Sequence, residues 1–222
     1  MNFLQLKTEV VAYADDLNFG YFLESQVERW LNHAQVECQK LLLQAGQNFY
    51  AKTVSTNLIS GQQEYILPID FVDLQRLSVI TSGTGPTATQ SMLTKITTNQ
   101  QDLVTNQSGV PAFYNIIRNR LYLYPIPNGT QVLQLIYSPV VTDMVLPTDV
   151  PNVPAEYEEF LVILAVISCL LKDGREMGGF IAKRDYYQQL MKDTATERNV
   201  DGPRSIVTTG EWGSGDANWS YW

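Results

Sequence analysis

Charge is scarce in this chain, and positive charge scarcer still. Only 17% of the 222 residues are Asp, Glu, Lys or Arg, against roughly 25% in an average soluble domain. Lys and Arg number 15 against 23 Asp and Glu, a net charge of −8. Tight binding to nucleic acid needs clustered cations and gains from the counterions they release. A basic DNA reader is therefore excluded, although an acidic wall past which a duplex slides is not. Histidine occurs once, as His33, and cysteine twice, as Cys38 and Cys169. Neither cysteine has a Cys-x-x-Cys or Cys/His neighbour, so no metal-ligand set is expected. Both lie in apolar stretches with helical spacing and are expected as buried free thiols of a reducing compartment. Residues 1–11 have no basic start leading into an apolar core, so no signal peptide is expected. The longest mainly apolar run, Phe160 to Leu171, falls short of the ~20 residues a bilayer demands. No membrane partner is expected.

The signatures of catalysis are missing as well. Gly83-Thr84-Gly85 lacks the lysine and the following helix of a phosphate loop. There is no Gly-x-Ser-x-Gly elbow, and a single histidine in a helical stretch makes a triad implausible. Asp70 with Asp73, or Glu156 with Glu159, are candidate acid/base couples, but helix capping and solvated faces account for most such carboxylates. The chain reads as a non-enzyme without a cofactor. Asn128-Gly129-Thr130 matches a glycosylation acceptor and is read instead as a turn.

What is present divides by charge density. Residues 53–140 hold eight charged side chains, whereas 153–200 hold fourteen. The charge-poor segment is rich in Thr, Gln, Val, Ile and Tyr and is punctuated by Gly and Pro, which is strand-and-turn chemistry. Its flanks are periodic and helical. A first helix is expected over Asn2 to Asp16, with Leu6, Val10 and Tyr13 on one face. A second opens on the capping box Ser25-Gln26-Val27-Glu28, continues through Val27, Trp30, Leu31, Ala34, Cys38, Leu41, Leu42 and Ala45, and stops at Gly46. Trp30 is expected in the core and His33 on a solvated face. After Pro151 and Pro154, with Glu156, Glu158 and Glu159 at the dipole's positive end, a helix apolar all round is expected over Phe160 to Leu171 and ends at Asp173-Gly174. The last helix is expected over Glu176 to Arg198, with Phe180, Ala182, Tyr186, Tyr187, Leu190 and Met191 inward. Gly178 and Gly179 weaken its start or admit a close helix.

Between the flanks, strands are expected at Gln63 to Pro68 and Leu74 to Ile80, with a tip at Gly83-Thr84-Gly85-Pro86. A helical turn is expected at Thr98-Asn99-Gln100-Gln101. Ala112 to Ile117 and Leu121 to Tyr124 form a hairpin about Arg118-Asn119-Arg120, with Leu121 and Leu123 facing one way and Tyr122 and Tyr124 the other. A tight turn at Pro127-Asn128-Gly129-Thr130 uses the positive φ that Asn-Gly tolerates, and Val132 to Tyr137 then returns antiparallel. The expected fold is α+β: an antiparallel bundle of about four helices from 1–52 and 150–200, an inserted antiparallel β-sandwich or barrel at 53–149, and an extended C-terminal arm at 201–222.

The arm holds four glycines and four charges, together with Trp212, Trp219, Tyr221 and Trp222. Disordered segments avoid aromatics, and buried Trp and Tyr are the common anchors of interfaces. These four residues are the candidate partner-binding site, for a neighbouring subunit or another protein.

The order of pieces resembles a family. It runs through Val27-Glu28-Arg29-Trp30-Leu31-Asn32-His33-Ala34, Gly61-Gln62-Gln63-Glu64-Tyr65-Ile66-Leu67-Pro68-Ile69-Asp70-Phe71 and Gly109-Val110-Pro111-Ala112-Phe113-Tyr114. It continues through Leu121-Tyr122-Leu123-Tyr124-Pro125-Ile126-Pro127, Leu135-Ile136-Tyr137, Leu146-Pro147, Pro154-Ala155-Glu156-Tyr157 and Tyr186-Tyr187-Gln188-Gln189-Leu190. Over residues 20–195 this resembles the head-to-tail adaptor (connector) proteins of tailed bacteriophages. The resemblance implies a structural virion protein of the phage neck, made in the host cytoplasm. It implies a homo-oligomeric ring, usually a dodecamer, joined to the portal protein above and to tail or nozzle proteins below. DNA is then only passing cargo, and an acidic lumen keeps the duplex from sticking. A different class of function is a glycan- or ligand-binding β module on a helical support, with Tyr114, Tyr122 and Tyr124 as a stacking surface.

Overall fold

The structure is a computed structural model that describes residues 1–16, 19–46, 49–83, 88–103 and 107–198. Helix α1 (Phe3–Tyr13) begins where the Asn2 side chain accepts the Gln5 N–H and the Gln5 side chain accepts that of Asn2. Leu6 and Val10 are buried as their spacing predicts, whereas Tyr13 is half exposed and stands edge-on to Phe180. Helix α2 (Glu24–Gln44) departs from its expected start. Leu23, not Ser25, occupies the N-cap, and the Gln26 side chain takes the Leu23 N–H. Glu28 does not close a capping box. With Glu24 it receives the ammonium of buried Lys7, at 2.9 and 2.6 Å. Burial works against the Lys7 charge, yet hydrogen bonds and charges from these two glutamates outweigh it and hold the ammonium above its ordinary range. A partner for a buried cation ranks above a cap available from a neighbouring glutamine.

Helix α3 (Glu158–Asp173) buries every residue from Phe160 to Val166 and ends at Gly174, whose φ of +71° is left-handed. An apolar circumference needs neighbours on all sides, and α3 packs on α1, on α2 and on α4 (Gly178–Arg198). Helix α4 turns Phe180, Tyr187, Leu190 and Met191 toward this cluster. Ala182 and Tyr186 point outward, against expectation, because α4 covers the cluster from one side and needs only a narrow stripe. A Cβ at Gly179 would meet nothing within 4 Å, so no close packing within the chain uses that glycine. Cys38 and Cys169 are buried and free, as expected, and burial pushes both thiols up to about 12.

Ten strands lie between α2 and α3 among the described residues. One sheet has β1 (Lys52–Asn57) beside β10 (Val132–Pro139), then β3 (Phe71–Ser82) and β4 (Thr89–Met92), all antiparallel. The second has β2 (Glu64–Ile66) beside β8 (Arg120–Tyr124), then β7 (Phe113–Ile117) and β5 (Thr94–Lys95). Both sheets keep open edges, so no closed barrel forms. Alternation places Leu77 and Val79 of β3, Leu121 and Leu123 of β8, and Leu133, Leu135 and Tyr137 of β10 in one shared buried cluster.

The β7–β8 hairpin and the helical turn, a 3₁₀ helix at Thr98–Leu103, match the sequence reading. Two other expectations do not. Strand β10 is antiparallel as expected, but it crosses to lie between β1 and β3 and leaves the strands just before it. The preceding Asn128-Gly129 therefore joins two sheets and needs no hairpin turn, and positive φ is absent there. The β5–β7 pair, and the pair of β6 (Ser108–Gly109) with β9 (Ile126–Pro127), are parallel rather than antiparallel. The expected tip at residues 84–86 lies outside the described residues.

One face of α2 holds the chain that returns from the strands. The Gln39 side-chain amide donates to Pro139 O at 2.6 Å, and that of Gln35 to Thr142 O at 2.8 Å. Gln35 Oε1 accepts the Asn152 N–H, and Asn32 both donates to and accepts from the Met144 backbone. Gln35 and Gln39 are fully or almost fully buried. Replacing Gln35 with Met keeps the side-chain shape but leaves the Thr142 carbonyl and the Asn152 N–H without this partner. We expect a loss of about 1–3 kcal/mol in denaturant unfolding, whereas His33→Ala, two residues away on the exposed face, changes stability by less than ~0.5 kcal/mol.

Candidate assembly interface

The four aromatic residues singled out as partner-binding, Trp212, Trp219, Tyr221 and Trp222, lie outside the described residues. Trp30 is partly buried against the helical cluster, 5.8 Å from Phe22, and His33 is exposed; both agree with the sequence reading. The three tyrosines of the stacking surface do not come together. Tyr114 stands opposite Leu123 in the β7–β8 register, on the core side, while Tyr122 and Tyr124 face the other way and Tyr124 is itself buried.

The carboxylate couples have other occupations. Asp70 accepts the Tyr137 hydroxyl at 2.7 Å and the Lys52 ammonium at 2.6 Å, with the Lys52 bond the larger cause of its lowered pKa. Its carbonyl also takes the Val140 N–H. Phe71 stacks on Tyr137 at 5.6 Å. This group closes the base of the strand region, where β1 enters and β10 leaves in adjacent register. Glu159 is bound by Lys183 and by the Tyr187 hydroxyl and is likewise held low. A general acid needs the opposite, a raised carboxyl. Among the described residues no three His, Cys, Asp or Glu side chains gather as a metal site, and no helix is long and apolar enough to cross a membrane.

What the structure does display is apolar surface on firm supports. The Asp149 carboxylate accepts the N–H groups of Val145 and Leu146, both at 2.7 Å, while Leu4 and Phe3 donate to Pro147 O and Asp149 O. This pins Leu4, Val145, Leu146 and Val150 in one neighbourhood, each more than half exposed. A second group stands at the end of the β2–β8–β7 sheet. Ile66 and Ile117 are exposed there beside Arg118 and Arg120. Arg118 takes a φ of +56°, a conformation that suits glycine and strains an arginine.

The third feature is a groove of about 600 Å³ between the edge strands β1 and β2. Val54 and Thr56 pair with Leu135 and Leu133, so they sit on the core-facing side of their sheet. Val54 is nevertheless 36% exposed, because β2 spans only three residues and leaves β1 uncovered. Leu133, Leu135, Leu121 and Leu67 line the floor, and Glu64, paired with Arg120, stands on the rim. The sequence reading missed all three surfaces. Their signal was aliphatic residues in turns and at strand ends, where polar residues are usual.

A family model, SU10 adaptor protein, matches residues 1–210. The chain belongs to this family. It is a family of phage head–tail adaptors, so the resemblance drawn from motif order holds, over a longer span than those motifs cover. The adaptor is a structural component of the phage particle. No curated protein matches the chain. Trp212, Trp219, Tyr221 and Trp222 all fall beyond the matched span.

Two expectations follow. Arg118→Gly, which relieves the turn, should raise unfolding stability by about 1 kcal/mol. Acid should weaken the fold in a defined window. Asp16, whose oxygens accept the N–H groups of Phe22, Tyr21 and Gly20, is held below its ordinary range, as are Asp70, Asp149 and Glu159. Stability from a lowered carboxyl is complete above the unfolded-chain value and is lost as pH falls through the folded one. Thermal midpoints should therefore stay level from pH 7 to 5 and drop below about pH 4, with a shallower drop in Asp16→Asn.

Proposed function

We propose that this adaptor works as a ring, on the family's usual twelve-fold plan, which joins the portal protein to tail or nozzle proteins and lets DNA pass through its lumen. The observation that carries the reading is the family match across residues 1–210. Residues 1–52 and 150–200 form a helical bundle that builds the ring, residues 53–149 form a sandwich-like insertion directed toward the tail, and residues 201–222 form an arm that reaches the portal or a neighbouring subunit. The adaptor does no catalysis. Its exposed aliphatic side chains at Leu4, Val145, Leu146 and Val150 suit contact with a second protein surface. Its low charge suits a subunit flanked on two sides, and its net charge of −8 suits a channel that repels the duplex. The glycan-binding alternative loses its surface, since β7 and β8 point its tyrosines to opposite faces.

Mixing the full chain with purified portal particles from the same phage tests this reading. Electron microscopy should show an added ring beneath the portal, with subunits in regular rotational order. Deleting residues 205–222 should abolish or sharply weaken that attachment. Unchanged assembly and unchanged portal binding after the deletion would remove the arm from the proposal.

A further inference from the structure

We infer that the groove between β1 and β2 is the receptor for the C-terminal arm of a second copy of this chain, which lays Trp219 and Tyr221 against the leucine floor. The inference rests on the adaptor reading and deepens it by naming the surface that meets the arm.

Four observations support it. Among the described residues β1 pairs only with β10 and β2 only with β8, so each has an edge that an extended segment can extend. The groove's floor is Leu67, Leu121, Leu133 and Leu135, and its volume of about 600 Å³ falls in the range of roughly 300–1,000 Å³ typical of sites that bury organic groups. An extended segment from Asn218 to Trp222 presents Trp219 and Tyr221 on one side, two residues apart, to face such a floor.

Charge agrees as well. Residues 199–222 carry Asp201, Glu211 and Asp216 against one Arg204, while the tip adjoining the groove carries Arg118 and the rim's Arg120 and Glu64 offset one another. Reach favours a second copy. Helix α4 ends at Arg198 against α2 and α3, and the 21 residues from there to Trp219 span up to about 70 Å when extended. A chain of this size folds to a diameter of roughly 45 Å, so an arm of this length can pass beyond its own subunit. Each copy then offers a groove to one neighbour and an arm to the other, a head-to-tail contact that closes as a ring.

The test uses two differently tagged full-length chains, one with Ile66→Cys at the groove rim and one with Ser220→Cys in the arm; the native thiols are buried. Under mild oxidation, mixing them should give a disulfide between the two chains. A partner with Val145→Cys on the distant patch should give none. Adding Val54→Glu to the groove chain, or Trp219→Ala to the arm chain, should lower the yield about tenfold or more; circular dichroism and an unchanged melting temperature confirm that each variant folds. No disulfide between chains, an equal yield with Val145→Cys, or a bond formed only within a single chain carrying both cysteines would each overturn the inference. Portal binding by the unmodified chain is measured in parallel. If the adaptor binds portal while the groove gives no cross-link, the inference falls and the adaptor reading stands; loss of portal binding strikes the reading itself.

Discussion

The arrangement of this adaptor depends on three amide side chains. Asn32, Gln35 and Gln39 occupy one stripe of α2 and bond the backbone of the chain that comes back from the strands, at Pro139, Thr142, Met144 and Asn152. That returning stretch has no regular structure of its own, so its backbone groups need partners from elsewhere. Without them, α3 would have no defined starting point, and α3 is the helix on which the other three pack. The Lys52–Asp70–Tyr137 group does complementary work at the strand side of the same junction.

Much of the helical part was legible because helical spacing is a strong local signal. Val27, Leu31, Ala34, Cys38 and Leu42 are buried where the period places them, and the left-handed Gly174 ends α3 where Asp173-Gly174 predicts. The errors have physical reasons. Ser25 lost the cap of α2 because Glu28 was drawn off to the buried Lys7, a contact 21 residues away that no local pattern encodes. Asn32, Gln35 and Gln39 were hidden because a polar residue on a helix reads as solvated, although their spacing of three and four along an otherwise apolar face was a usable sign.

Among the strands, local pairing was legible and long-range pairing was not. The β7–β8 hairpin follows from two alternating runs and a short turn. The crossing of β10 to the far sheet does not, since alternation says which side chains go inward and nothing about which neighbour a strand takes. The exposed aliphatic surfaces were unreadable for a related reason. A shortfall of cover over β1 arises only once β2 proves to be three residues long, and three-dimensional neighbourhood alone gathers Leu4 with Val145 and Leu146.

The α2 ladder is built wholly from neutral amides and backbone groups. Carboxamides neither gain nor lose protons over the biological range and are hardly screened by dissolved ions. The α2 side of the joint between the strand region and the helices is therefore little affected by dissolved ions, whereas the Lys52–Asp70 pair on its strand side responds to them. A virus particle leaves the cell in which it is assembled, and amide contacts that are indifferent to the change of medium hold on both sides of that exit.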